Sequence, residues 1–240
     1  MAYQRVLLKL SGEALGSPET GQGFDSDAVN RIARQVARAA NLGCELALVV
    51  GGGNILRGAT FGSLTSRLGA HRASADYMGM LGTVINALAL SDAIEGLGRD
   101  TRVLTAIEIA KVAEPFVRRR ALAHLSKGRV VILAAGTGNP FFTTDTAAAL
   151  RARELACDVL LKATKVDGVY SSDPRLDAAA ERIPELSHQH FLERGLKVMD
   201  ATAISLCAES GLPVVVFDLF EEGNLERVLR GERLGTLIRS

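Results

Sequence analysis

Cysteine is scarce in this chain of 240 residues. Cys44, Cys157 and Cys207 are odd in number, far apart and without a CxxC spacing. That argues against a disulfide framework and fits a reducing compartment. Basic runs are sparse too: none is longer than Arg118-Arg119-Arg120, and the formal net charge is +1. Nucleic-acid binders carry a basic stripe, so that class is disfavoured. Apolar runs stay short of the roughly 20 residues that span a bilayer. Lys9 interrupts the first of them, and nothing like a signal-peptide cleavage segment follows. There is no internal repeat, no low-complexity tract and no Pro/Ser linker. His71, His124, His188 and His190 lack metal-ligand spacing, and no Cys/His nucleophile–base constellation appears. His188 and His190 read as surface residues. The expectation is a cytoplasmic protein with no metal site of its own and no nucleic-acid or membrane partner.

What remains is an ordinary globular composition, 48% hydrophobic and 23% charged, long enough to bury a sizeable core. Short apolar runs alternate with helical patterns. Residues 5–10, 45–50, 102–105, 129–134, 158–163 and 213–217 read as strands, 166–170 as a further candidate and 236–238 as a final edge strand. Residues 27–42, 76–97, 118–126, 145–155 and 225–229 read as helices, with one or two more within 191–210. Strands separated by helices imply right-handed crossovers. The predicted fold is therefore α/β, a three-layer α/β/α sandwich around a central, mainly parallel sheet, as a single domain over 1–240. In such folds ligands bind at the carboxyl ends of the strands.

Four of those ends carry chemistry. After the first strand stands Lys9-Leu10-Ser11-Gly12, a cation beside backbone amides, as phosphate oxygens require. After the second come Gly51-Gly52-Gly53-Asn54 and Arg57-Gly58, which admit a ligand close to the backbone and add a bidentate donor. This is neither GxGxxG nor GxxxxGK[ST], so the Rossmann and P-loop readings lose support. After 129–134 comes Gly136 to Asp145, dense in Thr and Asn with Phe141 and Phe142 adjacent; Asp145 there reads either as a site carboxylate or as a helix N-cap. After 158–163 come Thr164, Lys165, Asp167-Gly168, Tyr170 and Asp173-Pro174, with Lys162 on the strand itself; Tyr170 reads as an adenine contact or as a hairpin core residue. Together these ends describe a cleft for two phosphorylated ligands, and phosphoryl transfer needs little more than positioning and charge stabilisation. Lys9 and Lys162, held close, would repel each other without a bound anion.

These motifs, together with Asp76-Tyr77-Met78-Gly79-Met80, the segment Lys162 to Val169 and Lys197-Val198-Met199-Asp200, resemble the bacterial UMP kinases of the amino-acid-kinase family, over about 5–238. The resemblance implies ATP-dependent, reversible phosphorylation of UMP to UDP in pyrimidine nucleotide synthesis. Lys9, Leu10, Ser11 and Gly12 are similar to the ATP phosphate loop, and Gly53, Arg57, Thr164, Tyr170 and Asp173 to further ATP contacts. Gly52, Asp76 and Thr137, Gly138, Asn139, Pro140, Phe141, Phe142, Thr143 and Thr144 are similar to the UMP site. Lys9 and Lys162 are the candidates for stabilising the transferred group. Asp145 and Asp200 would orient Lys9 or a Mg²⁺-bound water, Asp200 reading equally as a helix cap. The resemblance further implies Mg²⁺ with ATP, a homohexamer, a GTP activator and a UTP inhibitor. The loops at 16–23 and 60–69 are longer than the family pattern. The rival readings are a kinase of the same fold acting on a carboxylate or carbamate, and a nucleotide-binding relative without turnover.

Overall fold

The structure is a computed structural model that describes residues 2–56, 71–172, 176–177 and 179–240. Arg57, Gly58, Asp173, Pro174 and the loop at 60–69 lie outside the described residues. The strands are β1 (Arg5–Leu10), β2 (Glu45–Val50), β3 (Thr101–Thr105), β4 (Glu114–Pro115), β5 (Val130–Ala134), β6 (Val159–Thr164), β7 (Val169–Tyr170), β8 (Arg182–Ile183), β9 (Glu185–Ser187), β10 (Val214–Asp218) and β11 (Thr236–Arg239). The helices are α1 (Ser26–Asn41), α2 (Arg72–Glu95), α3 (Arg118–Leu125), α4 (Thr144–Glu154), α5 (His188–Glu193), α6 (Ala201–Ser210) and α7 (Asn224–Leu229).

Nine of the strands form one sheet in the order β4-β3-β5-β2-β1-β6-β10-β11-β9. From β4 to β10 every pairing is parallel; β11 is antiparallel to β10, and β9 runs parallel to β11. β7 and β8 form a separate antiparallel pair. Side chains alternate between the faces of a strand. Leu8, Leu10, Leu48 and Leu161 therefore pack with Ile32 and Val36 of α1, Val84 and Leu90 of α2 and Leu225 of α7. Leu7, Ala47, Val49 and Leu160 pack on the other face with Leu125 of α3, Ala148, Ala149 and Ala152 of α4 and Ile204 of α6. Burial on both faces is why these strands read as unbroken apolar runs. The expected α/β/α sandwich is the fold the chain adopts.

The topology has one consequence for function. The four strands whose ends carry the motifs, β5, β2, β1 and β6, are neighbours in the sheet. Being parallel, they present their carboxyl ends along one edge.

Several expectations are corrected. β11 is interior, not an edge: β9 pairs outside it. The strands β4, β8 and β9 are two or three residues long, too short for an alternating pattern to register. His188 is buried, 2% exposed, and its Nε2 donates to the Leu212 carbonyl at 3.1 Å; burial holds its pKa below the ordinary value. Helix α2 starts at Arg72, ahead of the predicted start at Asp76. By length and composition it is apolar enough to cross a bilayer, but half of its most apolar window is buried inside the fold, where it covers the sheet.

Candidate active site

The centre of the site follows from strand register. Lys9 of β1 and Lys162 of β6 are direct partners across the parallel pair. Each lies two residues beyond a leucine, Leu7 and Leu160, that packs under α4, so both lysines point to the α4 face. Alanines 147, 148, 149 and 152 are fully buried and let that helix lie close to the sheet. Its first turn then delivers Asp145 between the two ammonium groups. Lys9 Nζ is 2.7 Å from Asp145 Oδ1. Lys162 Nζ is 2.5 Å from Oδ1 and 2.6 Å from Oδ2.

Asp145 is not the helix cap. Thr143 is: its Oγ1 accepts from the backbone N–H of Asp145 and of Thr146, both at 3.1 Å. With the cap supplied by Thr143, the aspartate side chain is committed to the lysines. Burial works against its charge, but Lys9 and Lys162 outweigh it and hold the carboxyl below the usual range. Lys162 is shifted to about 8, first by burial and then by the Lys9 charge, with Asp145 opposing. The two lysines therefore do not depend on a bound ligand for their counter-charge. Asp145 is a built-in anion, and two ammonium groups against one carboxylate leave one positive charge uncompensated within the triad.

Three cavities bear on the site, and both lysines line one of them. One, of about 170 Å³, is lined by Gly52, Gly53, Asp76, Thr83, Thr137, Asn139, Phe142, Thr143 and Thr144, among others. A second, of about 230 Å³, is lined by Lys9, Ser11, Glu13, Lys162, Thr164, Lys165 and Phe220. A third, of about 440 Å³, is bounded by Tyr170, Arg194, Lys197 and Val198. The N-terminus of α4 borders the first cavity, and its partial positive charge favours an anion there.

The glycines divide by role. A Cβ on Gly12 would stand 2.6 Å from Gly51 O, and one on Gly52 would stand 2.7 Å from Gly79 O. These two are glycines because backbone packs on backbone. At Gly53 a Cβ would meet only Glu13 Cγ at 3.7 Å, so this glycine is the one that leaves room for a ligand. The loop is held from behind by a buried amide pair. Asn86 Nδ2 donates to Gly51 O and Asn54 Oδ1, each at 2.6 Å, and Asn54 Nδ2 returns bonds to Asn86 Oδ1 at 3.0 Å and Gly23 O at 2.8 Å.

The other predicted residues fall as follows. Asp76, on α2, accepts from the Phe141 backbone N–H at 2.8 Å and from Arg72 Nε at 3.2 Å. Phe141 has a left-handed φ of 73° and is 65% exposed; it, Gly138 and Pro140 form the outside of the loop rather than the cavity wall. Gly53 shares the cavity of Gly52 and Asp76, not that of the lysines. Leu10 is wholly core and serves through its carbonyl, which accepts from Gly51 N at 2.9 Å. Tyr170 donates to Asp167 Oδ1 at 2.6 Å. Asp200 is the N-cap of α6, accepting from Ala203 N at 2.9 Å, and it also accepts from the hydroxyls of Thr143 and Thr146. It therefore ties the starts of α4 and α6 together. The carboxylate on Lys9 is Asp145, not Asp200.

Among the described residues no group of three or more His, Cys, Asp and Glu could hold a metal ion. Asp145 is taken by ammonium groups and Asp200 by hydroxyls and an amide. This donor set fits a cation carried by ligand phosphates and water rather than a protein cage. Sequence reading missed Thr83, Arg194 and Phe220. Thr83 had a signal: seven residues after Asp76, it lies on the same helix face.

A lysine–aspartate–lysine centre lining a cavity at the carboxyl edge of a parallel sheet defines an α/β phosphotransferase. The chain belongs to the amino acid kinase family, whose profile matches residues 4–218. It is similar over its whole length to the solved UMP kinase of Bacillus anthracis, with 40% identity, a TM-score of 0.94, and 100% of this chain and 97% of that one covered. The UMP kinase of Ureaplasma parvum matches at 35% identity and a TM-score of 0.90, with 100% of both chains covered. The uridylate kinase of Archaeoglobus fulgidus matches at 30% and 0.72, with 97% of this chain and 99% of that one covered.

Proposed function

We propose that this chain catalyses the reversible transfer of the γ-phosphoryl group of ATP to the phosphate of UMP, giving UDP. The observation that carries the proposal is the Lys9–Asp145–Lys162 centre, with one cavity lined by both lysines and another by Thr143 and Thr144 just ahead of Asp145, in a chain 40% identical to a UMP kinase along its length.

In this reading Ser11 and Lys165 hold the donor phosphates, with Leu10 and Gly12 shaping the backbone around them. Thr164 belongs to the adenosine side, and Gly53, an ATP contact in the resemblance, lines the acceptor cavity instead. Tyr170 and, outside the described residues, Arg57 and Asp173 complete the ATP side. UMP occupies the cavity of Gly52 and Asp76. Its ribose hydroxyls donate to Asp76, and its phosphate faces Thr143, Thr144 and the α4 N-terminus. Thr137, Asn139 and Phe142 line the wall around the base and sugar, with Gly138, Pro140 and Phe141 completing the loop behind them. Lys9 and Lys162 neutralise charge on the oxygens of the moving group, and Asp145 fixes both ammonium groups before substrate arrives. Such preorganisation is the main source of rate in phosphoryl transfer. Mg²⁺, bound with ATP, would supply further charge neutralisation on the phosphates. The acceptor half of the single domain is mainly N-terminal and the donor half mainly C-terminal. A homohexamer, GTP activation, UTP inhibition, a cytoplasmic location and a place in pyrimidine nucleotide synthesis belong to the same proposal.

A coupled assay with UMP, CMP and dUMP, with and without GTP and UTP, tests it. Turnover is expected with UMP at least tenfold above the other acceptors, a margin that one or two specific hydrogen bonds supply. Phosphorylation of glutamate, aspartate or carbamate, with none of UMP, overturns it, as does ATP binding without turnover.

A further inference from the structure

One wall of the acceptor cavity depends on a backbone turn that alanine disfavours. After β5 the chain passes through Ala135 at φ 61° and Gly136 at φ 57°. Glycine enters this left-handed region freely, whereas an alanine meets steric resistance and must be held there. The holding group is Thr83 of α2. Its Oγ1 accepts from the Ala135 backbone N–H at 2.7 Å and donates to the Met80 carbonyl, also at 2.7 Å. Ala135 is wholly buried and Thr83 is 2% exposed, so the bond is shielded from bulk water. The turn then closes through Gly138 N to Ala135 O at 2.9 Å, and Thr137 and Asn139 that follow line the same cavity as Asp76.

We infer that Thr83 is a positioning residue of the acceptor site: its hydroxyl fixes the left-handed Ala135–Gly136 turn and through it the placement of Thr137 and Asn139. The inference rests on the reading of this cavity as the UMP site. Asp76 and Thr83 lie on one face of α2, so the same helix holds the loop at two points, the Phe141 N–H through a carboxylate and the Ala135 N–H through a hydroxyl.

Thr83→Val keeps the shape and removes the hydroxyl. Thr83→Ser keeps the hydroxyl. Two readouts apply: steady-state kinetics, and amide exchange of the segment 135–142 in the ligand-free protein. For Thr83→Val the UMP KM is expected to rise about tenfold, the effect of one lost buried hydrogen bond, while the ATP KM stays within about twofold. Exchange of 135–142 should quicken by a similar factor. Thr83→Ser should restore both, and Ala135→Gly added to Thr83→Val should recover part of the UMP KM, because glycine enters the left-handed turn without alanine's steric cost while the residue-135 N–H stays without its acceptor. Should Thr83→Val fold poorly, Thr83→Ala gives the same comparison without a displaced methyl. Unchanged exchange in Thr83→Val overturns the inference, and so does a Thr83→Ser as impaired as the valine variant. Faster exchange with an unmoved UMP KM instead overturns the assignment of the cavity to UMP.

Discussion

Lys162 carries two opposite pH signatures. Its pKa is about 8 in the folded protein against an ordinary 10.5. Below about pH 8 it is charged in both the folded and unfolded states. Between the two values the folded protein has lost a proton that the unfolded chain retains, so stability rises with pH through that window. Phosphoryl stabilisation needs the ammonium, so activity should fall where stability rises. The prediction is an alkaline limb in kcat/KM for ATP with a midpoint near pH 8, and a Lys162→Arg variant whose residual activity shows no such limb. A profile flat from neutrality into the alkaline range removes the lysine ammonium from the rate. Asp145 belongs to the same balance. A carboxylate this buried survives only because it is paired, and pairing it twice keeps both lysines in place before a ligand arrives.

Helix α4 joins core and site. Its buried alanines allow it to lie on the sheet, Thr143 caps it, and Asp200 fastens that cap to the start of α6. If Asp200 acts only by tying these two helix starts together, its loss should show first in stability. Asp200→Ala removes a cap and bonds to two threonine hydroxyls. The expected cost is about 2 kcal/mol in urea unfolding, with kcat lowered and the UMP and ATP KM values changing less. A loss of kcat without any loss of stability would instead place Asp200 in contact with substrate or its metal ion. At the other side of the cavity, the Asn54–Asn86 pair performs the equivalent task for the glycine loop: it satisfies, inside the protein, the carbonyl of Gly51 and the carbonyl of Gly23. Buried amides so placed are costly to disturb, because each leaves its partners without water.

At the scale of the molecule, α2 faces two ways. Its inner side covers the sheet and bears Asp76 and Thr83; its outer side leaves Tyr77, Met78, Leu81 and Ile85 between 39% and 46% exposed. Tyr77, Leu81 and Ile85 recur every fourth residue, a continuous apolar stripe. The proposed homohexamer gives this stripe a use, as a contact between copies. Leu81→Glu should then shift sedimentation toward smaller species, and because the stripe backs onto the helix that carries Asp76, the UMP KM should rise with dissociation. A wild-type chain that sediments as a monomer, or a Leu81→Glu variant with unchanged assembly, excludes that role.

The sequence by itself determined the layers and the edge where ligands bind. Apolar runs buried on both faces, helical periods between them and Gly or Asp caps at their ends are local properties, so β1, β2, β5, β6, β10 and α4 were legible to within a residue or two. So was the collection of Lys9, Gly51–Gly53, Thr137–Thr144 and Lys162 at strand ends, because parallel strands share one carboxyl edge. Tertiary structure alone decided how those groups pair. That Lys9 stands opposite Lys162 is a matter of strand register, and that Asp145 rather than Asp200 bridges them depends on where α4 crosses the sheet. The burial of His188, the interior place of β11 and the hold of Thr83 on Ala135 have the same origin. Each joins segments far apart in the chain, and a contact of that kind is fixed by packing, which no local pattern records.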